Sequence, residues 1–368
     1  MGINFVGAID DAPRIKIGYI GCGSHSRRNV LPALKFASVE TEAICDLNYE
    51  KAQAYAAHFG FKKAYANHIE MLEKEELDAV CIVTGYGEYA RPLYPSLARD
   101  CVERGCHVWI EKPPAASSEE LIELKKLADA KGKKVLVGFK KMFFPANEKA
   151  KELSQQDYFG GIAMATLQYP LDVPKHEDIV RYINKEHIKY TGVVSFLDHL
   201  CHPVSLLVYL MGYPENLFYM RTNEGLGMVN FTFPDGTIAS IAMTQGQSKN
   251  GGMERTQLFA KIPGTHISVE NNIKVSLHRT PPNIKYGSTP SFYTGTANDA
   301  TAVWEPEFSL GQLYNKGLFL LGYYGEIEVF AQAVINDTPL PKSGLDDAIV
   351  ITKIFEAFAH GPGKIIKI

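Results

Sequence analysis

The chain has 368 residues, 46% hydrophobic and 21% charged, with a net charge of −3, the balance of a globular protein of two domains. That charge, with no lysine- or arginine-rich run, excludes a nucleic-acid surface. No apolar run reaches the roughly 18 residues a membrane span needs, so neither a membrane nor a nucleic-acid partner is expected.

Arg14–Ile20 reads as a strand, Gly21-Cys22-Gly23-Ser24-His25-Ser26 as a turn, and Asn29–Phe36 as a helix. Strand, glycine turn and helix are the context a dinucleotide fingerprint requires. The first glycine permits the tight turn, and the second lets the backbone approach a pyrophosphate at a helix N-terminus. Ser26 stands where a third glycine is usual. Glu42–Asp46 is a second strand ending in an acid, placed to hold a ribose 2′-hydroxyl. A carboxylate there repels a 2′-phosphate and favours NAD over NADP. The competing role for Asp46 is the N-cap of the helix that follows.

The alternation continues through a helix at Glu50–Phe59, an extended Lys63–Tyr65, and a helix at His68–Lys74. Leu77–Val83 is a buried strand ending in the turn Thr84-Gly85-Tyr86-Gly87, and Pro92–Gly105 is a helix. Val108-Trp-Ile-Glu111-Lys112-Pro113-Pro114 is a short strand stopped by two charges and two prolines. Ligands bind off the carboxyl ends of such strands, which places Lys112 to meet one. A solvated charge pair is the plainer alternative. Ser117–Lys131 is amphipathic, with Ser117/Ser118 as cap, Glu120 near the third helical position and Gly132 as stop. Lys133–Phe139 is a further strand. Strands alternating with helices predict a parallel, doubly wound sheet ending near residue 140.

The pattern then changes. Pro145–Leu153 reads as a helix and Ile162–Tyr169 as a strand. Strand signals follow at Leu217–Thr222, Gly227–Phe233, Thr237–Thr244, Gln257–Ile262 and His266–Glu270, predicting a largely antiparallel sheet. Ser288–Trp304 reads as a long loop or lid, and Tyr323–Ile335 and Asp346–Phe358 as helices. Met1–Pro13 lacks a basic segment before an apolar core, so a secretory leader is not expected. Six cysteines (Cys22, Cys45, Cys81, Cys101, Cys106, Cys201) include no Cys-x-x-Cys pair, which argues against disulfide or zinc frameworks and for a reduced, cytoplasmic setting.

Gly192–Gly212 contains a second constellation. Asp198 and His202 are four apart on a helix and share a face. An acid beside a histidine fixes its tautomer and raises its basicity. His199 points elsewhere. Pro203 cannot donate to the His199 carbonyl, so a local kink is expected. Structural alternatives are a buried histidine satisfied by Asp198, or Asp198 as an N-cap. Asp198, His199 and His202 lack a further ligand, so no metal is expected.

The glycine turn, Glu111-Lys112-Pro113, and Asp198-x-x-x-His202 in this order resemble the Gfo/Idh/MocA family, the glucose–fructose oxidoreductase and inositol dehydrogenase group. Tyr323–Phe330 and Asp346–Ala348 are also family-like. The chain departs at Thr84-Gly85 (usually Thr-Pro), at Tyr89 (often His), at Leu200 (often Gly) and at Met142 (often Arg).

The resemblance implies an N-terminal Rossmann domain over residues 1–141. It implies an α+β domain over 142–368 with a large, open-faced, mostly antiparallel sheet, and with the C-terminal helix a candidate to pack back on the first domain. It implies NAD as cofactor, held by Gly21, Gly23, Ser24, His25, Ser26, Asp46, Thr84, Gly85, Tyr86, Tyr89, Glu111 and Lys112. The implied activity is oxidation of a secondary hydroxyl of a sugar, inositol or glycoside. His202 takes the proton, Asp198 orients it, and Lys112 donates to the reacting oxygen. Substrate contacts are expected from Lys112, Lys140, Tyr169, Tyr182, Asp198, His199 and His202, with Tyr190 and Trp304 as further aromatic candidates. A clasp of these aromatics suits glycoside oxidation at C3 with recycled NAD, although core packing is the commoner use of tyrosine clusters. Two rivals are an NAD-dependent glycosidase passing through a 3-keto sugar, and a non-catalytic dinucleotide-binding regulator resembling the yeast galactose-pathway repressor. A homo-oligomer packed through the C-terminal sheet is the expected assembly.

Overall fold

The computed structural model describes residues 12–186, 192–244, 254–279, 301–305 and 316–368. Tyr190 and most of the expected 288–304 loop lie outside them. The chain forms two compact units: residues through Phe139 with Tyr323–Ile349, and Lys140–Gly322 with Val350–Ile368.

The first unit is built on six strands, β1 Ile15–Ile20, β2 Val39–Cys45, β3 Lys63–Tyr65, β4 Ala79–Ile82, β5 His107–Ile110 and β6 Val135–Val137, in the order β3-β2-β1-β4-β5-β6. All neighbours pair parallel. Strand order reverses between β1 and β4, the position where ligands gather in open α/β sheets. Helices α1 Leu31–Leu34, α2 Tyr49–Phe59, α3 His68–Lys74, α4 Tyr94–Glu103 and α5 Ser118–Lys131 connect them. The capping box forms as read, with Glu120 Oε2 accepting from the backbone N–H of Ala116 at 3.1 Å and of Ser117 at 3.2 Å, and Gly132 ends α5 in the left-handed conformation. Asn48, not Asp46, caps α2, accepting from Lys51 N–H at 3.0 Å.

The helical path after the glycine turn begins at Ser24, earlier than the expected Asn29, and runs through a π-helical stretch, Ser26–Val30, into α1. Pro32 lacks an N–H and its ring crowds the carbonyl four residues back, which accounts for the widened backbone.

The second unit holds a nine-stranded sheet ordered β14-β13-β12-β11-β7-β10-β9-β8-β15. Its strands are β7 Ile162–Pro170, β8 Asn216–Arg221, β9 Gly227–Thr232, β10 Ile238–Thr244, β11 Arg255–Ala260, β12 His266–Glu270, β13 Lys274–His278, β14 Ala302–Trp304 and β15 Ile365–Lys367. Pairing is antiparallel except between β7 and β10. Alternation puts Leu167, Tyr169, Phe231, Ile241, Met243, Leu258 and Val269 into the core. Helices α6 Pro145–Ser154, α7 His176–Ile183 and α8 Gly192–Met211 belong to this unit, followed by α9 Lys316–Leu320. The sequence reading had no helix at α7 and no strands at β13 and β15.

α8 corrects one expectation. Its 20 residues have a mean hydropathy of 1.5 in an 18-residue window, long and apolar enough to cross a membrane despite the polar residues that interrupt it, and 72% of that window is buried. It is the core helix of its unit. α10 Tyr323–Ile335 belongs to the first unit, and α11 Leu345–Ala357 has residues in both. The expected single boundary at 141/142 is therefore replaced by a break after Phe139 and a return of residues 323–349 to the first unit.

Candidate active site

The carboxyl ends of β1, β2 and β4 enclose a cavity of about 630 Å³. Its walls include Gly21, Gly23, Ser24, His25, Asp46, Thr84, Gly85 and Tyr86, with Lys51 beside them. The backbone is drawn tight here. Gly21 N–H donates to the Cys45 carbonyl and Val83 N–H to the Ile20 carbonyl, both at 2.8 Å. A Cβ on Gly21, at φ +104°, would overlap the Val83 carbonyl oxygen, so only glycine fits. A Cβ on Gly23 would meet nothing within 4 Å, so the space above it is open to a ligand. Ser26 replaces the third glycine without penalty. It is fully buried and its Oγ donates to the Gly21 carbonyl at 2.7 Å, clamping the turn it follows.

Asp46 holds this turn too. Its Oδ2 accepts from Cys22 N–H at 2.8 Å and its Oδ1 from Asn48 N–H at 3.0 Å. A carboxylate has about four lone-pair sites, so two remain for a ribose diol. An open glycine cradle, a helical N-terminus and this acid fit a dinucleotide.

Glu111 and Lys112 follow β5 and do not line the cavity, but a hydrogen bond ties them to it. His25 Nε2 is 2.7 Å from Glu111 Oε1, and Glu111 Oε2 accepts from the Lys112 backbone N–H at 2.7 Å. Burial of Glu111 works against its charged form. The His25 hydrogen bond, with the Lys112 charge and backbone N–H, outweighs it and holds the carboxyl below its ordinary value. Tyr323 packs edge-on to His25 at 5.7 Å. Ser26 and Tyr89 do not line the cavity, and Tyr89 is 39% exposed at φ +54°.

In the second unit, α8 carries Asp198, His199 and His202. His202 is buried, and Asp198 Oδ2 stands 3.7 Å from Nδ1 of its neighbour His199. His199 Nδ1 is also 2.8 Å from the Ser195 carbonyl. The His202 ring lies 6.1 Å from the ring of Tyr169, near the end of β7. Burial first, then the Glu254 and Asp198 charges, drives the Tyr169 phenol far above its ordinary value, so it stays an O–H donor.

The expected substrate contacts Tyr182 and Lys140 sit in different surroundings. Tyr182 is fully buried, edge-on to Phe355 at 6.1 Å, because α7 turns Ile179 and Tyr182 inward together. Lys140 is only half-buried; its neighbour Lys141 is the buried lysine, ion-paired with Glu254. Trp304 lies on the edge strand β14, paired with Val275.

A parallel sheet with a glycine-lined cavity at its switch point, beside Glu-Lys-Pro, defines a dinucleotide-binding unit of oxidoreductase type. Residues 15–139 match the oxidoreductase family with an NAD-binding Rossmann fold. The chain is 27% identical over 206 residues to D-xylose 1-dehydrogenase (NADP+) 2 of Haloferax volcanii, covering 56% of this chain and 60% of that protein. It is 22% identical to myo-inositol 2-dehydrogenase of Thermotoga maritima, covering 92% of this chain and 93% of that one. A dehydrogenase from Chromobacterium violaceum has the same fold, with TM-score 0.77, 22% identity, and 95% and 96% of the two chains covered. Residues 15–139 thus carry the NAD-binding Rossmann domain of the Gfo/Idh/MocA oxidoreductase family.

Proposed function

We propose that the protein is an NAD-dependent dehydrogenase acting on a secondary hydroxyl of a sugar or polyol. The observation that carries this is the His25–Glu111–Lys112 linkage, which ties the lysine of Glu-Lys-Pro to the wall of the dinucleotide cavity. The dinucleotide, when bound, supplies the hydride acceptor. Lys112 donates a hydrogen bond to the reacting oxygen and stabilises its developing charge. His202 accepts the hydroxyl proton, and Asp198 orients the substrate and the histidine. Asp46 favours NAD; the Haloferax relative is named for NADP+, and this chain's acid argues for the other cofactor.

Sugar and polyol relatives support the substrate class. Oxidation at C3 of a glycoside leaned on an aromatic clasp, and Tyr182 in the core is lost from it, so a free sugar or polyol is the better-supported substrate. Intact Lys112, Asp198 and His202 argue against a non-catalytic regulator. We further propose a homo-oligomer through the open sheet face, where Met220 and Met228 are paired across strands, each about half exposed. Light scattering giving a stable 40.8 kDa monomer would remove that assembly.

The test is titration of the purified protein with NAD and NADP, then a panel of sugars and inositols scored for reduced nicotinamide. NAD binding and turnover of at least one polyol are expected. Absence of both nucleotide binding and turnover would overturn the reading.

A further inference from the structure

We propose, on the reading that His202 works on a substrate hydroxyl, that the ion pair between buried Lys141 and half-buried Glu254 is a positioning device that fixes Tyr169 against His202 and so sets substrate affinity. Lys141 is 4% exposed, in the turn that follows Phe139. Its ammonium pairs with Glu254 and stands 5.6 Å from the centre of the Tyr169 ring and 4.9 Å from that of Phe144. Both distances are within the reach of a cation–π contact. The Tyr169 ring also lies 6.1 Å from the His202 ring. Among the described residues the Tyr169 hydroxyl makes no hydrogen bond, while its ring is within reach of both Lys141 and His202.

The pair is itself locked. Asn272 Nδ2 donates to Glu254 Oε2 at 2.7 Å. Asn147 Nδ2 donates to Asn272 Oδ1 at 3.1 Å and to the Lys141 carbonyl at 2.9 Å. Asn147, Lys141, Glu254 and Asn272 thus form a closed ring of polar contacts. It joins α6, the turn before it, the start of β11 and the β12–β13 connection. A buried ion pair adds little stability over a well-packed apolar pair. What this one supplies is a charge fixed in place under an aromatic ring.

The experiment compares wild type, Lys141→Met, Lys141→Arg and the double variant Lys141→Met/Glu254→Leu as full-length protein. The readouts are thermal unfolding, KM for NAD, KM for the polyol turned over by wild type, and the carbon-13 signals of the His202 ring without substrate, assigned with His202→Ala. The single Met variant leaves Glu254 without its cation and is expected to melt earlier. The double variant removes both charges and is expected to melt close to wild type. It should nevertheless raise the polyol KM about tenfold, leave the NAD KM unchanged and shift the His202 ring signals, with Lys141→Arg closest to wild type. A double variant with wild-type polyol KM and unmoved His202 signals would overturn the proposal. If wild type turns over no polyol, the dehydrogenase reading fails separately. The His202 signals then decide alone: a shift in the double variant supports positioning, and no shift rejects it.

Discussion

His25 Nε2 lies 2.7 Å from Glu111 Oε1, while Asn29 Nδ2 lies 3.1 Å from His25 Nδ1. An amide nitrogen donates only, so Nδ1 is the acceptor and the proton of the neutral ring sits on Nε2, pointing at the carboxylate. The glycine turn and the residue before Lys112 are therefore one hydrogen-bonded unit.

Acid should loosen that unit. Despite its burial, the Glu111 carboxyl is held below its ordinary value of 4.5 by the His25 contact. A carboxyl lowered in the folded state gives stability that is full above its unfolded value and lost as pH falls through the folded one. Thermal unfolding followed from pH 7 downward should show a decline below about pH 4.5 that is shallower in Glu111→Gln. Equal slopes in the two proteins would contradict the assignment.

The two glycines of the turn should respond differently to a methyl group. Gly21→Ala forces a side chain into the Val83 carbonyl at a left-handed φ and should cost roughly 3–5 kcal/mol of stability. Gly23→Ala meets open space, so its unfolding midpoint should match wild type. Its added methyl occupies the ligand's approach, and dinucleotide affinity should fall about tenfold or more. Calorimetric melting with and without NAD separates the two effects.

His107, at the start of β5, is a second pH-sensitive point. Burial, and then the Lys133 and Lys134 charges, push its imidazole down to about 4. Its Nδ1 accepts from the Lys134 backbone N–H at 3.0 Å, a role only the unprotonated nitrogen can fill. The unfolded chain takes up this proton first, so stability is full above about pH 6.5 and falls between there and pH 4. His107→Gln should flatten that decline in denaturant titrations.

Asp46→Ser tests the cofactor assignment. The serine removes the negative charge that would face a ribose 2′-position while keeping a hydroxyl there. The ratio of NAD to NADP affinity should fall about tenfold or more. An unchanged ratio would place cofactor choice elsewhere in the cavity.

Much of the first unit was legible because its signals are local. The Ser117–Glu120 box, Gly132, the glycine turn and the acid after β2 each declare their conformation within a few residues. What escaped reading depends on distant partners. Lys140 and Lys141 are indistinguishable in sequence, and only Glu254, 113 residues away, marks the second as buried. Asp46 reads as a ribose ligand with a helix cap as its rival until Asn48 is seen to cap α2. Tyr182 did carry a signal, since Ile179 three residues earlier shares its helical face. β13 carried one as well in its alternating Lys-Val-Ser-Leu-His. The return of α10 to the first unit had none, because an apolar helix face does not name the surface it covers.

The central claim is that hydride leaves a sugar or polyol carbon for the dinucleotide with Lys112 and His202 assisting. It is tested by offering a substrate deuterated at the oxidised carbon and weighing the reduced nucleotide by mass spectrometry. The account predicts deuterium in the nucleotide from wild type. It also predicts that Lys112→Met and His202→Ala each slow that transfer by about 10²–10⁴ while NAD still binds. Reduced nucleotide without deuterium, or transfer at the wild-type rate in either variant, would contradict it.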